Sequence, residues 1–174
     1  MTRKLLEIER KRQLTGDAKE LIKRLQDLGF ELKSSCHEID TYYSRPDVDF
    51  MQTVECLRIR QRDSFAEVTY KPATNAATHT ENNVIIKPET NLPIKPEDVA
   101  TAKQLLANLG MIQLVEVNKY RRSFQSSDFP QATIAIDEIK DAGTFVEVEV
   151  LSDDETSALM TISEIETKLG LDSM

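Results

Sequence analysis

The sequence predicts an α+β fold of about eight antiparallel strands with flanking helices. Two observations lead to this prediction. Much of the chain alternates apolar and polar residues with the two-residue period of a strand, whereas three segments carry leucine or isoleucine at helical spacing. The order of elements in the first half also returns in the second, which gives two β-α-β-β-like halves and a C-terminal helix. Eight such strands can close into a barrel that holds side chains or one small ligand.

The elements of the first half follow from alternation, helix caps and glycine stops. Asp17 is a good N-cap for a helix whose apolar positions are spaced by three and four residues, and Gly29 closes that helix. The predicted elements are a strand over residues 5–14, a helix between Asp17 and Gly29, a strand over 30–43, a hairpin of strands over 55–62 and 66–71, and a short strand over 84–87.

The second half repeats this order after a connector over residues 93–98. Gly110 closes the second helix as Gly29 closes the first, and Asp153 is the expected cap of the last helix. The predicted elements are a helix over 97–109, a strand over 112–124, a hairpin of strands over 132–139 and 144–151, and a final helix that ends near Gly170.

Composition excludes several classes of protein. The chain has 174 residues, which fits a single domain over 1–174, and its net charge of −8 disfavours a nucleic-acid binder. No apolar run is long enough for a membrane span, and the first residues lack the apolar core of a signal peptide. Two cysteines, Cys36 and Cys56, are too few for a disulfide framework. We therefore expect a cytoplasmic protein that needs neither a membrane nor a nucleic acid.

Several predicted strands combine an apolar face with a strongly charged face. The charged residues recur at every second position, in the sets Glu7/Glu9/Lys11, Arg58/Arg60, Lys119/Arg121 and Glu147/Glu149. On a single strand, a solvated face explains such a pattern. Segregation of the two signs favours a ligand, because arginine suits phosphate oxygens and carboxylates without His or Cys suit a hard divalent cation. A metal-bound polyphosphate would satisfy both sets.

Motifs spread along the chain carry a resemblance to a known family. Glu7-Ile8-Glu9-Arg10-Lys11 fits the pattern Glu-x-Glu-x-Lys. It is followed in order by Asp40-Thr41-Tyr42-Tyr43, Leu57-Arg58-Ile59-Arg60, Thr69-Tyr70-Lys71, Lys119-Tyr120-Arg121, Asp137-Glu138-Ile139 and Gly143-Thr144-Phe145-Val146-Glu147-Val148-Glu149. From Leu5 to about Leu169 the chain resembles the CYTH superfamily, or triphosphate tunnel metalloenzymes, in the branch of class IV adenylate cyclases and thiamine triphosphatase.

The resemblance implies a closed eight-stranded barrel, a triphosphate substrate and Mg²⁺ or Mn²⁺ as cofactor. The residues that it assigns to the triphosphate are Lys11, Arg58, Arg60, Lys71, Lys87, Lys119 and Arg121. It assigns the metal to Glu7, Glu9, Glu147 and Glu149, and catalysis to Lys11, Lys71 and Asp137. For Lys87 the tunnel wall and the solvent face both remain open. A homodimer is expected by analogy alone.

Other residues receive ordinary interpretations. His37 and His79 are isolated from any nucleophile or metal-ligand partner, so a catalytic histidine is not expected. We expect Arg10 and Arg12 to be outward or rim charges.

Three functions fit the sequence. The first is metal-dependent hydrolysis of an inorganic, nucleoside or other organic triphosphate. The second is a class IV-type adenylate cyclase, which would convert ATP to cyclic AMP and pyrophosphate. The third is a non-catalytic module that binds polyphosphate or a nucleotide, and this module would not need the acidic pairs.

Overall fold

The computed structural model describes residues 6–73 and 84–171 and confirms the predicted α+β class. The strands are β1 (Leu6–Gln13), β2 (Glu31–Ser44), β3 (Cys56–Arg62), β4 (Phe65–Lys71), β5 (Val84–Lys87), β6 (Thr90–Ile94), β7 (Ile112–Gln125), β8 (Ala132–Ile139) and β9 (Gly143–Ser152). The helices are α1 (Ala18–Asp27), α2 (Phe50–Thr53), α3 (Val99–Asn108) and α4 (Glu155–Leu169), with a 3₁₀ turn over Pro96–Asp98. None of the helices in these ranges combines the length and apolar character that a membrane span needs.

The described chain divides into two compact units. The first unit contains residues 6–35, 84–86 and 120–171, and the second contains 36–73 and 87–119. Strands of the first unit follow the order β5-β1-β9-β8-β7, and strands of the second follow β2-β3-β4-β6. The long strands β2 and β7 contribute residues to both units.

The core of the first unit lies between one face of its sheet and the helices α1 and α4. Ile8, Ile134 and Val148 are almost fully buried on that face, and Leu25 and Ile162 meet them from the helices. Full burial of one such side chain contributes about 1.5–3 kcal/mol. Since successive strand residues point to opposite faces, this core turns the alternate residues of β1 and β9 to the other side of the sheet.

The strand register places acidic residues opposite each other on that other side. β1 pairs antiparallel with β9 so that Glu9 lies opposite Glu149 and Lys11 lies opposite Glu147. β9 also pairs with β8, which sets Ala135 opposite Glu147. A shift of one residue in β1 would turn Glu7, Glu9 and Lys11 towards the core, so burial of Ile8 fixes the register.

The second unit is built in the same way around a smaller core. Tyr43, Ile59, Ala66 and Val99 are buried together, with Val99 supplied by α3. The alternate residues of β2 and β3 form the opposite face, where Asp40 lies across from Arg60 in the register. The same face therefore carries the basic residues of the motif in β3.

Helix caps confirm one prediction and correct another. The carboxylate of Asp17 accepts a hydrogen bond from the Lys19 amide, as predicted for the start of α1. The cap of α4 is Asp154 and not Asp153, because the helix begins at Glu155. The Asp154 carboxylate accepts from the amides of Thr156 and Ser157, which is the ordinary N-cap arrangement.

Two elements were missed by the sequence analysis. α2 has only four residues, too few to show a helical period. β6 lies partly in the predicted connector and pairs with β4, so it adds a ninth strand to the predicted eight. Pro93 is tolerated there because β6 is the last strand in the order formed by the described residues, and proline is accepted at such an edge.

Candidate functional site

The charged face of the first unit holds a group of residues from four strands, which we call the first-unit cluster. Its members are Glu7, Glu9, Lys11, Arg121, Asp137, Glu147 and Glu149. At its centre the guanidinium of Arg121 donates to both oxygens of Asp137, over 2.6 and 2.7 Å. Asp137 is 1% exposed, and this paired, charge-assisted contact offsets the cost of burying its carboxylate.

Lys11 joins two carboxylates of the first-unit cluster. Its Nζ lies 3.3 Å from Asp137 and 3.2 Å from Glu147, and its side chain remains 40% exposed. Partial burial opposes the charged form of Lys11, but the attraction of Glu147 and Asp137 outweighs this and raises the pKa of the ammonium group. Lys11 is therefore a charged donor that can still reach a ligand.

Glu149 shows the excess of negative charge on this face. Burial raises its pKa to about 7, and the neighbouring carboxylates of Glu7, Glu147 and Glu9 act in the same direction. The β1–β9 register explains the repulsion, because Glu9 is the direct cross-strand neighbour of Glu149. A ligand of opposite charge would relieve it.

The donor chemistry of these four carboxylates fits a hard divalent cation. Mg²⁺ and Mn²⁺ prefer oxygen ligands of this kind. Within residues 6–73 and 84–171, no three Asp, Glu, His or Cys side chains converge closely enough to hold a metal ion. A cation bound here would therefore require these glutamates to adopt other rotamers.

A second group, the second-unit cluster, is made of Glu38, Asp40, Arg58, Arg60, Lys71, Glu89 and Lys119. Its deepest part is a buried ion network. Arg60 donates to both oxygens of Asp40, over 2.8 and 2.9 Å, and lies 2.9 Å from Glu38. Lys119 lies 2.8 Å from Glu38 and 3.2 Å from Asp40.

Both buried carboxylates of this network are fully ionised at neutral pH. Burial alone would raise their pKa values, but hydrogen bonds and charge from Arg60 and Lys119 outweigh burial and lower them. Glu38 and Asp40 therefore act as fixed counter-ions that hold Arg60 and Lys119 in place.

The outer part of the second-unit cluster centres on Glu89. Its carboxylate lies 3.4 Å from Arg58 and 3.9 Å from Lys71. The three side chains are 12–14% exposed. An acidic group here occupies the kind of position that a phosphate oxygen would take between two cations.

The comparison with known families supplies the deciding observation. A family model described as the CYTH domain matches residues 5–174. The chain belongs to the CYTH family.

Individual relatives of this CYTH chain agree with the assignment. A protein of Methanocaldococcus jannaschii that bears the name "Putative adenylate cyclase" is 28% identical over 145 residues, which are 83% of this chain and 77% of the relative. A solved structure from Pyrococcus horikoshii has 27% identity and a TM-score of 0.74, over 94% of this chain and 88% of that one. A conserved hypothetical protein of Pyrococcus furiosus has 23% identity and a TM-score of 0.77, over 95% and 91% of the two chains.

The two clusters contain most of the site residues predicted for the CYTH chain. The first unit contains Lys11, Arg121, Asp137, Glu7, Glu9, Glu147 and Glu149. The second unit contains Arg58, Arg60, Lys71 and Lys119. Lys87 is the last residue of β5, and its side chain lies outside the described part of the chain. Their roles in binding and catalysis stay predictions.

Three carboxylates of the second-unit cluster were assigned no role from the sequence, although Asp40 belongs to a motif that carries the family resemblance. Glu38 and Asp40 stand two residues apart on β2, so the alternation rule applied to β1 and β9 could have found them. Glu89 lies between β5 and β6, and no local pattern marks it.

Arg10 and Arg12 contradict the expectation that they are outward or rim charges. Arg10 is 8% exposed and lies 2.5 Å from the buried carboxylate of Glu166 on α4. Arg12 Nε donates to the same carboxylate over 2.7 Å. The expectation was wrong because both residues share the core-facing side of β1 with Ile8, where α4 supplies an anion.

An apolar cavity of about 190 Å³ lies in the second unit. Its walls include Tyr42, Phe50, Cys56, Leu57 and Leu114. Two of these walls adjoin the second-unit cluster through the strand register, because Tyr42 lies opposite Arg58 and Cys56 lies opposite Lys71.

Proposed function

We propose that this CYTH chain is a divalent-metal-dependent triphosphatase that cleaves the terminal phosphoanhydride bond of an inorganic or organic triphosphate. One observation carries the proposal. Glu9 and Glu149 face each other across β1 and β9, and burial, together with the negative charges of Glu7, Glu147 and Glu9, raises the pKa of Glu149 to about 7. Such repulsion destabilises the sheet, and a surface that serves solubility alone has no need of it. A bound cation would relieve the repulsion.

The basic residues of each cluster have the chemistry to bind phosphate oxygens. Arg121 and Arg60 are held by bidentate contacts to Asp137 and Asp40, so their orientation is fixed before a substrate arrives. Fixed donors lose little conformational entropy on binding, and phosphoryl transfer depends mainly on positioning and charge neutralisation.

Lys11 and Lys71 are the donors best suited to stabilise the negative charge that develops on the phosphate oxygens during transfer. Each is a flexible ammonium group that contacts carboxylates over 3.2–3.9 Å rather than in a close bidentate pair. Exchange of these contacts for a phosphate oxygen replaces one anion with another. Asp137 favours the charged form of Lys11 and holds Arg121 in place during that exchange.

The carboxylates of Glu7, Glu9, Glu147 and Glu149 would hold Mg²⁺ or Mn²⁺. Such an ion supplies neutralisation of phosphate charge and a bound water of lowered pKa. The glutamates would serve as ligands, and a cation among them would offset the repulsion that Glu7, Glu147 and Glu9 exert on Glu149.

An adenylate cyclase is the second candidate. The apolar cavity beside Arg58 and Lys71 has the size and character to receive part of an organic group such as a base. The relative from Methanocaldococcus jannaschii, 28% identical, bears a cyclase name. We rank hydrolysis first because the basic residues of each cluster suit phosphate and the glutamates of the first-unit cluster suit a cation. Neither cluster requires an organic group.

Product analysis separates the two activities. Purified protein is incubated with tripolyphosphate and with ATP, each in Mg²⁺ and in Mn²⁺, and the products are identified by phosphorus NMR. Orthophosphate, with pyrophosphate from tripolyphosphate or ADP from ATP, is the expected result. Cyclic AMP with pyrophosphate from ATP would establish the cyclase instead.

A further inference from the structure

Behind the charged face of β1, a buried ion network links this strand to the last helix. The Glu166 carboxylate on α4 is 2% exposed. One of its oxygens lies 2.5 Å from Arg10 and 3.2 Å from Arg12, and the other accepts from Arg12 Nε over 2.7 Å. The two arginines are thus tied to one carboxylate that lies 154–156 positions away in the sequence.

The arginines alternate with residues of the first-unit cluster. Because a strand turns successive side chains to opposite faces, Arg10 and Arg12 flank Lys11 from behind, and Arg10 also adjoins Glu9. Any tilt, slide or twist of β1 that displaces Glu9 or Lys11 would also move Arg10 or Arg12 from the carboxylate of Glu166.

Stability alone does not account for this arrangement. Burial of an ion network generally contributes less stability than apolar side chains of similar size. Within residues 6–73 and 84–171, the buried Nε of Arg10 also lacks a hydrogen-bond partner, which adds to the cost. Ile8, two residues before Arg10 on β1, and Ile162, one turn before Glu166 on α4, both belong to the apolar core, so apolar side chains suit these faces of the two elements. What the network adds is a directional constraint on one strand.

We propose that Glu166 is a positioning residue, which holds β1 through Arg10 and Arg12 so that Glu9 and Lys11 keep a fixed place on the charged face. Its importance for turnover rests on the proposed triphosphatase function. Its effect on β1 does not, because the constraint exists in the free protein.

The test uses three variants. Glu166→Gln removes the charge and leaves two arginines facing a neutral group, so it can destabilise the fold. The triple variant Arg10→Leu, Arg12→Met, Glu166→Met replaces the whole network with apolar side chains and keeps the fold testable. Glu164→Gln is the matched control, because Glu164 lies on the same helix, 53% exposed, in a surface pair with Lys168.

Two measurements are made on each folded variant. Hydrogen exchange of the amides of residues 9–12 reports the constraint on β1 without substrate or metal. Steady-state kinetics with tripolyphosphate then report kcat and KM separately. For the triple variant we expect exchange at least about 10-fold faster in residues 9–12 and kcat about 10-fold lower, with KM changed less than kcat. Glu164→Gln should match the wild type in both.

Wild-type exchange in residues 9–12 of the folded triple variant would overturn the proposal, whatever its kinetics. If the wild-type protein is active and the triple variant has the same kcat, the proposal is also overturned. If the wild-type protein cleaves no triphosphate, the proposed function fails, and the exchange measurement still decides whether Glu166 positions β1.

Discussion

Glu9 lies directly across the β1–β9 ladder from Glu149, with Glu7 and Glu147 beside the pair. Like charges in directly opposite positions destabilise a sheet. Ile8 and Val148, buried on the reverse face, nevertheless hold the two strands in this register. The acidic face is therefore a strained feature of the unliganded fold, and its removal should have measurable consequences.

Neutralisation of Glu149 should stabilise the protein in the absence of metal. At pH 8 the wild-type carboxylate is mostly ionised, above its pKa of about 7, and repels its neighbours. We expect Glu149→Gln to raise the free energy of unfolding by about 0.5–1 kcal/mol in EDTA, measured by urea denaturation. The gain should shrink at pH 5.5, where Glu149 is already protonated. Glu20→Gln, at an exposed position of α1, is the control, and an equal gain there would contradict the explanation.

Loss of the Asp137 carboxylate should destabilise the first unit. Asp137→Asn would remove the bidentate partner of Arg121. It would also remove the contact between Lys11 and Asp137, whereas the contact between Lys11 and Glu147 would remain. Removal of one member of a buried ion network costs about 3–5 kcal/mol. Thermal unfolding of this variant should show a markedly lower Tm, whereas Asp128→Asn on the surface should not. A Tm equal to that of the wild type would show that Arg121 finds another partner.

The pKa values of Glu38 and Asp40 predict how stability depends on pH. Because Arg60 and Lys119 lower both values in the folded state, these carboxylates stabilise the fold above their unfolded pKa of about 4. That contribution is lost as the pH falls through the lower folded values. Thermal unfolding between pH 7 and pH 2.5 should therefore show a falling Tm, and the fall should be shallower in Asp40→Asn. An identical slope in the two proteins would contradict this account.

Arg58 tests the role of bidentate geometry in substrate binding. Arg58→Lys keeps the positive charge beside Glu89 but removes the planar fork that matches phosphate. We expect KM for tripolyphosphate to rise about 10-fold with a smaller change in kcat, measured by orthophosphate release. Arg45→Lys is the matched control, because Arg45 forms an exposed pair with Asp47. A rise of the same size in Arg45→Lys would mean that Arg58 has no special role.

The sequence predicted those features that local patterns determine. Alternation along β1 and β9 placed Glu9 and Glu149 on the charged face of their own strands, because the side-chain period of a strand is independent of its partners. Asp17 and Gly29 marked the ends of α1 for the same kind of reason, since caps depend on backbone groups within one turn.

Other features depend on contacts between distant segments. β6 is a strand because β4 offers it a ladder, which the residues of β6 do not reveal. Glu166 resembles any polar residue of a surface helix until Arg10, 156 positions away, is brought to it. The role of Glu89 likewise becomes visible only when the fold places it between Arg58 and Lys71. Local pattern thus predicted the charged faces but not the roles of Glu38, Glu89 and Glu166 as counter-ions.

The most direct test of the central claim measures the metal dependence of tripolyphosphate hydrolysis in the wild type and in the double variant Glu147→Gln, Glu149→Gln. The account predicts that wild-type protein releases orthophosphate only when Mg²⁺ or Mn²⁺ is present, and that the double variant loses this activity but still binds tripolyphosphate in calorimetry. Binding without turnover in both proteins would contradict it and indicate a polyphosphate-binding module. Turnover of the wild type that persists in EDTA would contradict the role assigned to the four glutamates.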